Sequence, residues 1–209
     1  MAEAKGFSIE EALKFGWDTT KDNFVFFLIL LLIVGAVNFI PGVLADAIRD
    51  DVPFVAMFFD FAGWVLGILV SLGLIKVVLK FADKKKAEFA DLFMVYPMFF
   101  QYLFASIVYG LVTLVGFILL IIPGFIWLIK YSMFGYLMVD RKLGALEALA
   151  ASGKATEGAR LQLFWFGIVF AMINFFGALL FMVGLLVTIP VTSLAAAYVY
   201  RQLLSQTKL

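Results

Sequence analysis

The chain contains neither cysteine nor histidine. This removes disulfides, thiolate nucleophiles and imidazole bases, and with them nearly every transition-metal site. Charge is also scarce. Only 15% of the 209 residues are charged and the formal net charge is +1, which argues against a nucleic-acid partner. No Gly-rich phosphate loop, HExxH or GxSxG pattern occurs. General acid–base chemistry needs titratable groups placed together, and here the acids gather at the ends of apolar runs, Asp60 excepted. The expectation is a protein that is not an enzyme, with no cofactor and no metal.

What the chain has is apolar surface. Hydrophobic residues make up 65%, with 25 phenylalanines and a mean hydropathy of +1.07. Soluble domains are near half apolar, so lipid must solvate part of this protein. Six apolar runs are long enough to span a bilayer, at 24–44, 54–81, 98–122, 124–139, 161–183 and 185–203. The fold class expected is all-α, an integral membrane six-helix bundle forming a single domain over 1–209. The first run follows a mostly polar stretch and is longer than a signal-peptide core, so it reads as an uncleaved anchor. Pro41-Gly42 ends the first span, Pro123-Gly124 makes a tight turn between the third and fourth, and the last turn lies in 184–190.

Three amphipathic segments sit between the spans. In the first, Ser8 and Glu11 have capping-box spacing. Ile9, Ala12, Leu13, Gly16, Trp17 and Thr20 share one face, opposite Glu10, Lys14 and Asp18. A Trp-bearing amphipathic helix beside a span suits the membrane interface. In the second, Phe89, Leu92, Phe93 and Tyr96 recur at helical spacing. In the third, Leu143, Leu146, Leu149 and Ala150 do so. With the N-terminus inside, 14 of the 16 lysines and arginines, Lys208 among them, lie on the inner side; Arg49 is outside and Lys130 within a span. The positive-inside rule therefore puts both termini and all three segments in the cytoplasm. A weak repeat runs through the chain. At an offset of 136, Glu11-Ala12-Leu13 matches Glu147-Ala148-Leu149, Thr20 matches Thr156, and Asn38-Phe39 matches Asn174-Phe175. The chain reads as three copies of interfacial helix, span, tight outer turn, span.

The segments PGFIWLIKYSMF, VDRKLGALEALAAS, TEGARLQLF, VGLLVTIPV and AAAYVYRQL resemble a large group of prokaryotic membrane proteins of undefined activity. The group is related to the YciC-like proteins and to the membrane domain attached to some glycerophosphodiester phosphodiesterases. The similarity is best from Asp83 onward, and an arginine of the group is Lys130 here. The resemblance implies six spans and a prokaryotic inner membrane. It implies no activity, because the phosphodiesterase chemistry belongs to a separate soluble domain.

Lys130 is the residue hardest to explain by packing. An unpaired ammonium inside a span costs roughly 2.5–3.5 kcal/mol on insertion scales. Lys130 lies six residues past Gly124 and Asp60 six past Phe54, each about 9 Å along a helix from the same side; a Lys130–Asp60 contact is one way to satisfy both. With Asn38, Gln101 and Asn174, they are the candidate intramembrane polar or ligand site; Ser106 and Thr113 read as packing or backbone-bonded. Lys76, Lys80, Lys84, Lys85 and Lys86 form the candidate contact with anionic lipid. Gly63 and Gly67 allow close helix approach, within the bundle or between copies. The function expected is binding of lipid or partner proteins and membrane organisation. The alternatives are a small transporter or channel using Lys130 and, less favoured, a membrane-anchored enzyme.

Overall fold

The computed structural model describes residues 5–207; Lys208, counted above on the inner face, lies outside them. The described residues form α1 (Ile9–Asp22), α2 (Phe24–Ile48), α3 (Pro53–Ala82), two 3₁₀ turns (Phe89–Leu92 and Tyr96–Met98), α4 (Phe99–Leu119), α5 (Ile121–Lys130), α6 (Phe134–Arg141), α7 (Ala145–Ala155), α8 (Arg160–Leu179) and α9 (Leu185–Ser205), with no strand among them. Five segments, α2, α3, Phe89–Leu119, Ile121–Arg141 and α8, are long and apolar enough to cross a membrane. α9 is as long but less apolar. Leu194, Ala195, Ala197, Val199, Tyr200, Leu203 and Leu204 are all buried. At 100° per residue they point in every direction around the helix. Protein rather than lipid surrounds α9 there, so alanine, threonine and tyrosine serve where a lipid-facing helix would carry leucine.

The helices pair as three hairpins, α2–α3, α4 with α5–α6, and α8–α9. A lead segment precedes each hairpin and packs on the returning helix of another. The 3₁₀ turns pack on α3, α7 on α6, and α1 on α9, while α3 also packs against α6 and α9. Because α1 returns to the last hairpin, the three units close on themselves. The two ends of the described chain meet. The Gly6 amide donates to Gln206 Oε1 (3.0 Å), Gln206 Nε2 donates back to the Gly6 carbonyl (2.8 Å), and Lys5 Nζ donates to Thr207 Oγ1 (2.9 Å).

The repeat has structural counterparts. Ala12 and Ala148 are both fully buried, as are Thr20 and Thr156. Asn38 and Asn174 each donate to the carbonyl four residues earlier. α1 starts as its cap requires, with Ser8 Oγ accepting the Glu11 amide at 3.1 Å. Its apolar face lies on α9, where a side chain at Gly16 would meet the Val191 carbonyl. Trp17 stays exposed.

Several expected boundaries shift. Pro41 lies inside α2, which continues to Ile48. Pro41 is seated against Gly63 of α3, so the helix carries it through. The turn after α4 falls at Leu120, and Pro123-Gly124 opens α5 instead. Proline is tolerated in a first helical turn because its missing N–H would have been unpaired there. Pro190 is likewise inside α9. The expected fourth span breaks between Lys130 and Phe134. The second expected segment forms 3₁₀ turns rather than a continuous α-helix, because Leu92 is pressed onto Gly73 of α3 and Pro97 has no N–H to continue an α-helical ladder through it. In α7 the buried side is Ala148, Leu149, Ala151, Ser152 and Ala155, with Leu146 outside. Close packing on α6 selects small residues over the leucine stripe.

Candidate functional site

The break between α5 and α6 leaves backbone groups without helical partners. α7 supplies them. Ser152 Oγ accepts the Met133 amide (3.1 Å) and donates to the Lys130 carbonyl (3.0 Å), and Thr156 Oγ1 donates to the same carbonyl (3.0 Å). Unpaired backbone in an apolar setting costs about 1–3 kcal/mol per group, so these two hydroxyls make the break tolerable. Interrupted helices of this kind are where membrane proteins build sites. Lys130 ends α5, where a cation complements the helix dipole. Its stem lies on Gly153 of α7 and its ammonium stands 5.0 Å from the Tyr131 ring centre.

Against the break, α8 leaves an apolar cleft of about 420 Å³, lined chiefly by Phe125, Ile129, Ser132, Tyr136, Phe164 and Gly167. Its rim residues Phe125, Leu128 and Ala171 are exposed. Gly167 has open space where a side chain would project. The size falls within the ~300–1,000 Å³ of small-ligand sites. The lining is almost wholly hydrocarbon and aromatic, with the Ser132 and Tyr136 hydroxyls as its polar handles.

Where α3, α6 and α9 come together, Arg201 joins two carboxylates. It donates to both oxygens of Asp140 (Nη1 at 2.7 Å, Nη2 at 2.8 Å) and from Nη2 to Asp83 Oδ2 at 2.8 Å. The Tyr200 hydroxyl also donates to Asp140 (2.8 Å), and Tyr200 stacks on Tyr136 of the cleft wall. Lys85 and Arg141 approach from outside at 3.4 and 3.5 Å. Each hairpin thus contributes one charge near the end of its returning helix. Reading the chain in order shows only span-ending charges at 83, 140 and 201. Aligning the three copies by their returning helices is the signal that could have grouped them.

The expected Lys130–Asp60 contact does not form. Asp60 meets Arg49 across the α2–α3 turn at 3.2 Å, while α5 packs on α4 and α8. Equal depth along two helices does not make them neighbours. Hydrogen bonds from Arg49 to Asp46 and Asp60 hold its guanidinium above its ordinary value. Lys76 and Lys80, expected on lipid headgroups, are drawn to the buried Asp91 at 3.3 and 2.6 Å. The Glu88 amide also donates to Asp91, at 2.9 Å. A buried carboxylate needs such partners. Lys84, Lys85 and Lys86 are exposed. Asn38 lines a separate cleft with Ser71, Tyr102 and Ser106. Asn174 donates to Thr192 at 3.3 Å. Gln101 lies near Lys76 and Lys142 at the start of α4. The structure therefore distributes the polar candidates over several places. Gly63 and Gly67 face Pro41 and Asn38 of α2, so this pair packs within a hairpin. Among the described residues no three acidic side chains gather as a metal site would require.

No protein-family model matches the chain, and no curated protein or solved structure is significantly similar to it. The fold and composition define the class, a helical protein with several helices compatible with a multi-pass membrane protein.

Proposed function

We propose that this is a non-enzymatic, multi-pass protein of a prokaryotic inner membrane that binds lipid, with an acyl chain in the cleft between the broken α5–α6 helix and α8. The cleft itself carries the reading. It is apolar and open at its rim, with hydroxyls only at Ser132 and Tyr136. An acyl chain satisfies such walls where water would not. The exposed Lys84, Lys85 and Lys86 suit an anionic headgroup layer on the cytoplasmic side. The meeting of Gly6 with Gln206 supports termini on one side of the membrane, with the protein-enclosed α9 returning the chain to that side. The scatter of Asn38, Asp60, Gln101, Lys130 and Asn174 gives a transport path little to follow.

Gly167→Leu tests the reading, because the new side chain enters open cleft space. Native mass spectrometry of gently extracted protein should show lipid retained by the wild type and lost by about tenfold or more in the variant, equivalent to about 1.4 kcal/mol. Equal retention by wild type and variant, eluting identically, would refute an acyl chain in this cleft.

A further inference from the structure

The three hairpins end differently. The α2–α3 turn carries Asp46, Arg49, Asp50 and Asp51, with Asp60 just inside α3. The other two turns carry no charge at all. Between Asp91 and Lys130 there is no Asp, Glu, Lys or Arg, nor is there between Arg160 and Arg201. At the α4–α5 tip, Ile118, Leu119, Leu120, Ile121 and Ile122 are all exposed, and at the α8–α9 tip so are Leu180, Phe181, Met182 and Val183, with Phe181 94% exposed.

The backbone at both tips is partly closed on itself. The Leu120 amide donates to Gly116 and the Gly124 amide to Leu120, and Pro123 removes one further donor from the first turn of α5. Around the other tip the amides of Met182, Val183, Leu185, Leu186 and Val187 all find carbonyls within the turn. Glycines allow this tightness, since Gly116 packs on Gly124 and Gly177 on Gly184. Phe181 and Met182 both hold positive φ, 52° and 61°. Turns in water place Gly, Asn or Asp at such positions. Two bulky apolar residues accept that strain here and turn their side chains away from the protein.

Length points the same way. α4 and α8, with 21 and 20 residues, extend about 30–32 Å at 1.5 Å per residue, only as long as a hydrocarbon core of about 30 Å. An ordinary tilt of about 20° shortens that reach further. α2 and α3, with 25 and 30 residues, extend about 37–45 Å and clear it.

We infer that the α4–α5 and α8–α9 hairpins are re-entrant: their tips end among the acyl chains of the far leaflet, and only the α2–α3 hairpin reaches water on the far side. Low dielectric favours a backbone paired internally and side chains without charge; both tips are free of charge and pair several of their turn amides internally. The protein is then one complete transmembrane hairpin flanked by two apolar wedges that load the far leaflet from within. This concerns the tips alone and does not depend on the lipid cleft.

The absence of native cysteine makes the test direct. Asp50→Cys, Leu120→Cys and Phe181→Cys, each the sole thiol, are reconstituted in phosphatidylcholine–phosphatidylglycerol vesicles. Each is exposed to a membrane-impermeant maleimide outside, and in a second preparation on both sides. A thiol must ionise to react, which hydrocarbon forbids. Asp50→Cys should label from one side, and Leu120→Cys and Phe181→Cys should label about tenfold more slowly or less from both, reacting fully after solubilisation in SDS. A bimane fluorophore at Leu120 or Phe181 should be quenched more by acyl-chain nitroxides than by headgroup nitroxides. Ile121→Cys and Met182→Cys repeat each tip at a second exposed position. Labelling of either tip at a rate comparable to Asp50→Cys, or stronger quenching by headgroup nitroxides, would overturn the inference.

Discussion

Replacing Arg201 with glutamine should loosen all three hairpins at once. The guanidinium is the shared partner of Asp83 from the first hairpin and Asp140 from the second, with four nitrogen–oxygen approaches of 2.7–2.8 Å. Removing it leaves two carboxylates facing the same vacated space. Breaking a fully buried pair by deleting one partner costs about 3–5 kcal/mol. Here the side chains of Arg201, Asp83 and Asp140 retain 27%, 25% and 16% exposure. Lys85, Arg141 and the Tyr200 hydroxyl remain to screen the acids. The expected loss is therefore smaller, about 2–3 kcal/mol. At roughly 2–4 °C per kcal/mol for a chain of this size, the midpoint should fall by about 4–12 °C. The four tryptophans report unfolding by intrinsic fluorescence in a mild detergent. Asp140→Asn should cost less alone. Combined with Arg201→Gln it should fall short of additivity by about 1–2 kcal/mol, since the second change removes an acid already stranded by the first. A shift within about 1 °C for Arg201→Gln, or strict additivity in the double variant, would refute the idea that this cluster ties the hairpins together.

Ser152→Ala with Thr156→Ala should leave the Lys130 carbonyl and Met133 amide unpaired and cost about 2–4 kcal/mol in the same unfolding measurement, more than either change alone. Gly16→Leu should push α1 off α9, because the side chain would enter the Val191 carbonyl; trypsin cleavage after Lys14 and Lys21 should then accelerate several-fold, while the bundle remains folded. Asp91→Asn should free Lys76 and Lys80 and lower stability by about 1–2 kcal/mol. It should also strengthen adsorption of anionic micelles, read as a shift in mobility, by about 1 kcal/mol per released lysine.

Much of this protein was legible from composition and periodicity because membrane insertion is governed by sums over local segments. Helical class, several apolar helices of spanning length and the three-copy layout all depend on runs of about twenty residues and the turns between them. The start and buried face of the first helix were legible for the same reason: Ser8 caps it locally and Ala12, Gly16 and Thr20 share a face by helix geometry alone. Residues whose roles depend on a second segment were not. Lys130 and Asp60 sit at matching depth in the sequence, yet packing sends Asp60 to Arg49 and Lys130 to Gly153. Lys76 and Lys80 looked like a lipid-facing basic patch until the fold buried Asp91 between them. The break after Lys130 has no local cause as clear as a proline; it persists because Ser152 and Thr156, over twenty residues away, take its backbone groups. Asp83, Asp140 and Arg201 end three separate helices, and only the closure of the hairpins on one another brings them within 3 Å. The sequence by itself determined which stretches become apolar helices, because each can satisfy its own backbone bonds. Tertiary structure decided which charges meet, because a charge pairs with whichever opposite charge the packing brings beside it.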